Sequence, residues 1–180
     1  MSGPGRGPVP GPPPAPGPHG LLDDRVVVIT AAAGTGIGFA TARRCAEEGA
    51  LVVVSDTHER RLGEAAEALS AVTGALPLAV PCDVTVEADV QRLYATALAE
   101  HGRIDVAINN AGLGGSAPIV DMTDEQWARV LDVTLTGTFR CVRAVLRHML
   151  DRRSGAIVNN ASVLGWRAQA DQAHYAAAKA

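Results

Sequence analysis

Short apolar runs rich in β-branched residues alternate with longer amphipathic segments along the chain from residue 20 onward. The short runs are typical of buried strands, and the longer segments repeat apolar residues at helical spacing. We predict strands at 25–30, 51–55, 76–81, 104–108 and 156–161, and helices at 36–49, 58–72, 86–101 and 123–150. The last helix is predicted to open with a capping box that pairs Thr123 with Gln126.

Strands that alternate with helices form parallel sheets, because each helix carries the chain back to the end where the next strand begins. Nearly continuous apolar strands indicate that helices cover both faces of the sheet. The sequence therefore predicts an α/β fold with a doubly wound parallel sheet of Rossmann type.

The first residues have a different composition from the rest. Eight of the eleven prolines lie in 1–18, together with five glycines, and such a segment buries too little side chain to offset its ordering entropy. We predict a disordered tail over 1–19 and one folded domain over 20–180. A proline-rich ligand for another protein is the functional alternative for the tail.

Charge and cysteine content exclude several classes of function. The net charge of −3 and the interspersed acidic and basic residues argue against nucleic-acid and membrane partners. The three cysteines lack the spacing of a zinc site or a disulfide framework, so we predict buried thiols and no metal. No apolar run is long enough to span a bilayer and no secretory signal is visible, which predicts a cytoplasmic protein.

A glycine-rich turn, TAAAGTGIG, follows the first predicted strand. Small residues there let a dinucleotide pyrophosphate approach the backbone N–H groups at a helix N-terminus. The cofactor-binding candidates in this turn are Thr30, Gly34, Gly36, Ile37 and Gly38. A turn that needs glycine only for its conformation is the alternative.

Asp56 ends the second predicted strand, where a carboxylate can accept hydrogen bonds from both ribose hydroxyls of the adenosine half. This position favours NAD over NADP, although Arg60 and Arg61 lie close by. A turn or N-cap aspartate is the alternative interpretation.

Three later motifs make the prediction specific. Asn109, Asn110, Ala111 and Gly112 leave the fourth strand, Ser162 leaves the fifth, and Tyr175 precedes Lys179 by four residues. With the glycine turn and the segment Cys82, Asp83 and Val84, they resemble the short-chain dehydrogenase/reductase family from about Leu21 to the last residue.

The resemblance implies an oxidoreductase that moves a hydride between NAD(H) and a carbonyl or secondary alcohol, with Ser162, Tyr175 and Lys179 as catalytic residues. It also implies cofactor contacts from Asp83, Val84, Asn110, Ala111, Gly112, Tyr175 and Lys179. The implied strand order is 3-2-1-4-5, with the family's last two strands missing and the chain therefore expected to be a fragment. A complete protein is expected to be a homodimer or homotetramer.

The four-residue spacing has a chemical reason, because positions i and i+4 share one face of a helix. A free phenol titrates near pH 10, so an acid–base role near neutral pH needs about 4 kcal/mol of phenolate stabilisation. One cation at about 4 Å supplies at most that much at an effective dielectric near 20. Lys179 is the only lysine among sixteen basic residues.

Two positions depart from the family pattern. Ala31 stands where the family has glycine, in a turn one residue longer than usual, and Thr134 aligns with the family's catalytic asparagine. These departures keep open a nucleotide-binding protein without catalysis; an epimerase-like relative is the other rival. Ser162 as a cap of the next turn and Tyr175 as a core residue are the structural alternatives.

The substrate side is less defined. Trp166 and Arg167 follow Ser162 on a loop that borders the substrate in the family, and they are expected either to contact a bulky anionic ligand or to serve only local packing and solvation. The motifs resemble reductases of bacterial steroid-ring degradation, which act on bicyclic coenzyme A thioesters. His174 is expected at the surface.

Overall fold

Five parallel strands form the centre of the computed structural model, which describes residues 16–180. The strands are β1 Val26–Ile29, β2 Leu51–Asp56, β3 Leu78–Pro81, β4 Val106–Asn109 and β5 Ala156–Asn159. The helices are α1 Ile37–Glu47, α2 Glu59–Thr73, α3 Glu87–His101, α4 Asp124–Leu131, α5 Gly137–Arg152 and α6 Ala173–Lys179. The sheet order is β3-β2-β1-β4-β5, which confirms the predicted doubly wound α/β sheet.

Two apolar layers hold the helices on opposite faces of the sheet. Successive residues of β1 point to opposite faces, and all four are at most 1% exposed. Val26 and Val28 pack with residues of α3 and α5, whereas Val27 and Ile29 pack with residues of α1 and α2. The sheet is therefore buried on both sides at its centre, as its continuous apolar strands predicted.

The long helix predicted at 123–150 is interrupted. Its capping box is present, since Thr123 accepts from Gln126 N and the Gln126 side chain accepts from Thr123 N. One wide π turn, Asp132–Thr136, then separates α4 from α5. Such turns often mark functional sites, and this one adds an extra residue without ending the helix.

The N-terminal end of the described chain is attached to α1. The Glu48 carboxylate accepts from His19 N and Leu21 N, and Arg44 donates to the carbonyl oxygens of Pro16 and Gly17. The remainder of the predicted tail, residues 1–15, lies outside the described residues.

Burial of the three cysteines is confirmed, since Cys45, Cys82 and Cys141 are each at most 8% exposed. Every helix in residues 16–180 is too short or too polar to cross a bilayer.

Candidate active site

A cleft of about 870 Å³ opens where the parallel strands end at their carboxyl edge. Its walls include residues at or just after the ends of four strands: Ala31, Asp56, Asp83, Val84, Ala111 and Gly112. Open α/β sheets bind ligands at this edge, where the strand order reverses between β1 and β4. The structure thus brings five of the predicted cofactor-binding residues to one cavity: Asp56, Asp83, Val84, Ala111 and Gly112. Asn110, the turn residues 34–38 and the three predicted catalytic residues are not among the residues that line it.

The three glycines of the first turn have different environments. A Cβ at Gly38 would lie 2.2 Å from the carbonyl oxygen of Ala31, so only glycine allows α1 to pack this closely on the turn. Gly34 has φ +79, a left-handed conformation that suits glycine. Gly36 is the N-cap of α1 and has open space on its Cβ side. Ile37 is 68% exposed beside it.

Ala31 adopts φ +51, the left-handed region that disfavours any residue with a Cβ. The backbone thus keeps a glycine-like conformation at the position where the family has glycine. Asn110 stabilises this turn, because its Nδ2 donates to the carbonyl oxygens of Thr30 and Ala31 at 3.2 and 3.0 Å.

Thr30 is buried beneath the turn rather than exposed to the cleft, with 1% of its surface accessible. Its hydroxyl oxygen accepts from Asn110 N and Ala111 N at 3.0 and 3.1 Å. The side chain therefore joins the glycine turn to the start of the loop after β4.

The Asp56 carboxylate is fixed at the end of β2 by two backbone donors. Oδ2 accepts from Ala33 N at 3.3 Å and Oδ1 accepts from His58 N at 3.0 Å. The second bond is a local turn contact, so the turn interpretation holds alongside the position at the cleft. Arg60 pairs with Glu64 at 2.6 Å on the exposed face of α2.

The Asp83 and Val84 segment is held from two sides. Asp83 Oδ1 accepts from the backbone N and the hydroxyl of Thr85 at 2.8 and 2.7 Å. Arg140 donates to the carbonyl oxygen of Val84 at 3.3 Å and to Asp132 at 2.8 Å. Sequence reasoning missed Arg140, because only the fold brings α5 beside the end of β3.

Two pairs of asparagine side chains link the ends of β4 and β5. Asn109 Nδ2 donates to Asn159 Oδ1 at 2.8 Å, and Asn160 Nδ2 donates to Asn110 Oδ1 at 2.9 Å. The second pair lies beside the predicted catalytic lysine, since Lys179 Nζ donates to the carbonyl oxygen of Asn160 at 2.5 Å. The sequence motif NN in each strand was visible, but its pairing across strands was not predicted.

Tyr175 and Lys179 occupy one face of α6, as their spacing predicted. Nζ of Lys179 lies 5.8 Å from the centre of the Tyr175 ring. It also lies 3.6 Å from the position that a Cβ on Gly112 would occupy. Burial lowers the pKa of Lys179 from its ordinary value.

Ser162 caps a short 3₁₀ turn, Val163–Gly165, by accepting from Leu164 N at 3.2 Å. The structural alternative for this residue is thus present, and the hydroxyl keeps its proton for donation to another group. The turn packs tightly on α6, because a Cβ at Gly165 would lie 2.1 Å from the carbonyl oxygen of Lys179. No hydrogen bond within residues 16–180 joins the hydroxyls of Ser162 and Tyr175.

Thr134 lies in the π turn and is 3% exposed. Its hydroxyl accepts from Leu113 N at 3.0 Å and donates to the carbonyl oxygen of Leu113 at 3.1 Å. Both bonds go to the loop after β4, so this hydroxyl orders the protein backbone there.

Two expectations for the substrate side are corrected. His174 is only 2% exposed, and its Nε2 lies 3.0 Å from the Cβ position of Gly115, so the predicted surface position is wrong. Its helix packs against the loop after β4, which sequence spacing does not reveal. Trp166 is 89% exposed and therefore does not close a local core, and Arg167 is exposed beside it.

The family described as short chain dehydrogenase matches residues 25–180. A reductase of Mycobacterium tuberculosis, named for (5R,7aS)-5-hydroxy-7a-methyl-1-oxo-2,3,5,6,7,7a-hexahydro-1H-indene-carboxyl-CoA, is 63% identical over 163 residues, which cover 90% of this chain and 62% of that protein. The cis-4-hydroxycyclohexanecarboxylate dehydrogenase of Sinomonas cyclohexanicum is 45% identical, with 87% and 62% covered. The chain thus spans about three fifths of the length of these curated relatives.

Two solved structures of dehydrogenases are also similar to this chain. A short chain dehydrogenase from Mycobacterium smegmatis is 56% identical with a TM-score of 0.90, covering 93% of this chain and 70% of that one. A xylitol dehydrogenase bound to NAD+ is 35% identical with a TM-score of 0.84, covering 88% and 61%.

Proposed function

The chain belongs to the short-chain dehydrogenase/reductase family, and from this premise we propose that it transfers a hydride between NAD(H) and a carbonyl or secondary alcohol on a cyclic coenzyme A thioester. The observation that carries the proposal is the placement of Tyr175 and Lys179 on one face of α6, against the loop after β4 that lines the cleft. Ser162 lies on a turn that packs on the same helix.

Residues at the cleft and at the neighbouring glycine turn support a bound dinucleotide. Open space at Gly36 exposes the N-terminus of α1, where backbone N–H groups attract a pyrophosphate. Asp56 provides a fixed carboxylate for the adenosine ribose, and Asp83 with Val84 provides a wall for adenine. A bound nicotinamide nucleotide would supply or accept the hydride.

The side chains of this chain would handle the proton. In reduction, the Tyr175 hydroxyl donates its proton to the substrate oxygen, and in oxidation the phenolate accepts that proton. Ser162 donates a hydrogen bond to the same oxygen and stabilises its developing negative charge. The Lys179 ammonium stabilises the phenolate and binds hydroxyls of the nicotinamide ribose.

We propose NAD rather than NADP. A carboxylate at Asp56 accepts from both ribose hydroxyls and repels a 2′-phosphate. Arg60, one of the two arginines close to Asp56 in sequence, is paired with Glu64 on the exposed face of α2. Replacing Asp56 with Ser should shrink the ratio of kcat/KM for NADH over NADPH by at least about tenfold, or about 1.4 kcal/mol. An unchanged ratio would contradict the assignment.

The proposed substrate class follows from the relatives, which are named for a bicyclic coenzyme A thioester and a cyclohexane carboxylate. Exposed Trp166 and Arg167 offer an apolar surface and a cation beside Ser162, which suits a bicyclic ring with an anionic carrier. A cytoplasmic location and a homo-oligomer belong to the same proposal.

The test is NADH oxidation by the purified protein with a bicyclic keto-acyl coenzyme A, followed by the loss of NADH absorbance. Replacing Tyr175 with Phe should lower kcat by about 10²–10⁴-fold, the usual contribution of a general acid. Tyr94, the other tyrosine, is 3% exposed in the core, so Tyr94→Phe is the matched control with wild-type kcat. Unimpaired turnover in Tyr175→Phe would refute the proposal.

The two rival functions predict other outcomes. A nucleotide-binding protein without catalysis would bind NADH but oxidise none, and an epimerase-like enzyme would retain NAD tightly and show no net redox change. The two curated relatives above are named as a reductase and a dehydrogenase, and these names favour catalysis over binding alone.

A further inference from the structure

A continuous chain of hydrogen bonds runs from the glycine turn to the candidate catalytic lysine. Ala31 O accepts from Asn110 Nδ2 at 3.0 Å, and Asn110 Oδ1 accepts from Asn160 Nδ2 at 2.9 Å. The carbonyl oxygen of Asn160 accepts from Lys179 Nζ at 2.5 Å. The chain therefore connects the turn that would hold the cofactor pyrophosphate with the amine on α6.

The direction of these bonds is fixed by chemistry. Asn110 Nδ2 has two protons, and both are used by the carbonyl oxygens of Thr30 and Ala31. Its Oδ1 can only accept, so position 160 must carry a donor of suitable length. An apolar side chain at 160 would leave Asn110 Oδ1 without its partner, and a carboxylate would repel it.

The Asn160 carbonyl is important for Lys179 because it is the one hydrogen-bond acceptor that Nζ has within residues 16–180. Asn160 lies just past the end of β5, and its backbone contributes a single sheet bond, from its N to Asn109 O at 2.9 Å. The side-chain bond to Asn110 is thus a second anchor, and it fixes the segment whose carbonyl faces the amine.

We propose that Asn160 is a positioning residue for Lys179, which it holds in register with the glycine turn through Asn110. Only the catalytic consequence of this inference rests on the proposed function, because the placement of Lys179 can be measured without turnover. The amide pair of Asn109 and Asn159, one residue earlier on the same strands, is a matched comparison, because neither residue hydrogen-bonds to Lys179.

Amine labelling tests the placement without turnover. Lys179 is the only lysine of the chain, so modification by an N-hydroxysuccinimide ester at this residue is read directly by peptide mass spectrometry. Replacing Asn160 with Leu should raise the Lys179 labelling rate about fivefold. This factor corresponds to about 1 kcal/mol, the net contribution of one hydrogen bond. Asn159→Leu should stay within about twofold of wild type. Equal rates in the two variants would overturn the inference.

A smaller replacement protects the test against misfolding. Asn160→Ser leaves a hydroxyl too short to reach Asn110 and should raise labelling in the same direction, with circular dichroism melting as the check on folding. Unchanged labelling in a folded Asn160→Ser protein overturns the inference.

Kinetics test the consequence for the reaction. Asn160→Leu should lower kcat about fivefold or more and shift the pH profile of kcat. A parallel loss in Asn159→Leu would show that sheet integrity alone is responsible and overturn the inference. If the wild-type protein oxidises no NADH but the two variants still differ in Lys179 labelling, the proposed function is refuted and the positioning of Lys179 remains supported.

Discussion

Gly36 and Gly38 stand two residues apart in the glycine turn, and the structure gives them separable roles. At Gly38 the space for a Cβ is filled by the carbonyl group of Ala31 and the Asn110 amide, whereas at Gly36 no atom lies within 4 Å of a Cβ. Substitution at Gly38 should therefore damage the fold, and substitution at Gly36 should damage cofactor binding alone.

The magnitudes follow from these contacts. A Cβ at Gly38 starts 2.2 Å from Ala31 O, and backbone must move by roughly 1 Å to relieve it, so Gly38→Ala should cost about 3 kcal/mol of unfolding free energy. Gly36→Ser keeps a favoured N-cap residue for α1 and should change stability by less than about 0.5 kcal/mol. Its side chain would fill the phosphate approach and weaken NADH binding at least about tenfold.

Urea unfolding and NADH fluorescence titration measure the two effects on the same samples. Gly63, in α2, is the control, because it is exposed and has open space on its Cβ side. Gly63→Ala should stabilise the protein by about 1 kcal/mol and leave NADH binding unchanged. If Gly36→Ser binds NADH like wild type, no pyrophosphate lies at the N-terminus of α1.

Three further outcomes are expected. Ala31→Gly should raise the unfolding free energy by about 0.5–1 kcal/mol in urea, because relief of the left-handed Cβ exceeds the added chain entropy. For Asp105, burial raises the pKa, but hydrogen bonds from Val26 N and two arginines outweigh it and the net pKa is lowered. The stabilisation that ionised Asp105 gives the folded protein is therefore complete above about pH 4 and is lost as the pH falls further. Asp105→Asn should lower Tm at neutral pH, and Tm of the variant should change less than that of wild type between neutral and acid pH. Burial raises the pKa of Cys82 to about 12 and of Cys141 to about 11, so iodoacetamide at pH 8 should modify these thiols only after unfolding, as counted by mass spectrometry.

The fold was predictable because local periodicity and chain connectivity dictate it. Each strand existed as an apolar run, and the observed strands lie inside the predicted ranges or within one residue of them. The π turn was not predictable, because Asp132–Thr136 shows no break in helical pattern and its extra residue is stabilised by Thr134 binding the loop after β4.

At the candidate site, the shared helix face of two predicted residues could be foreseen, but most contacts between distant elements could not. Tyr175 and Lys179 are neighbours in sequence spacing, so helix geometry alone puts them on one face. Contacts that depend on packing between distant elements carry no sequence signal. Arg140 reaches Val84, and Asn160 reaches Asn110, only once α5 and β5 have taken their places in the fold.

The attachment of the N-terminal segment to α1 has a practical consequence for work with this protein. Strands and helices run in opposite directions here, so the Glu48 end of α1 lies at the amino edge of the sheet, about 16 Å of helix away from Gly36. A reporter or affinity handle fused ahead of Pro16 would thus leave from the side of the molecule opposite the cleft. Surface capture through such a handle should keep the cavity mouth open to any ligand in solution.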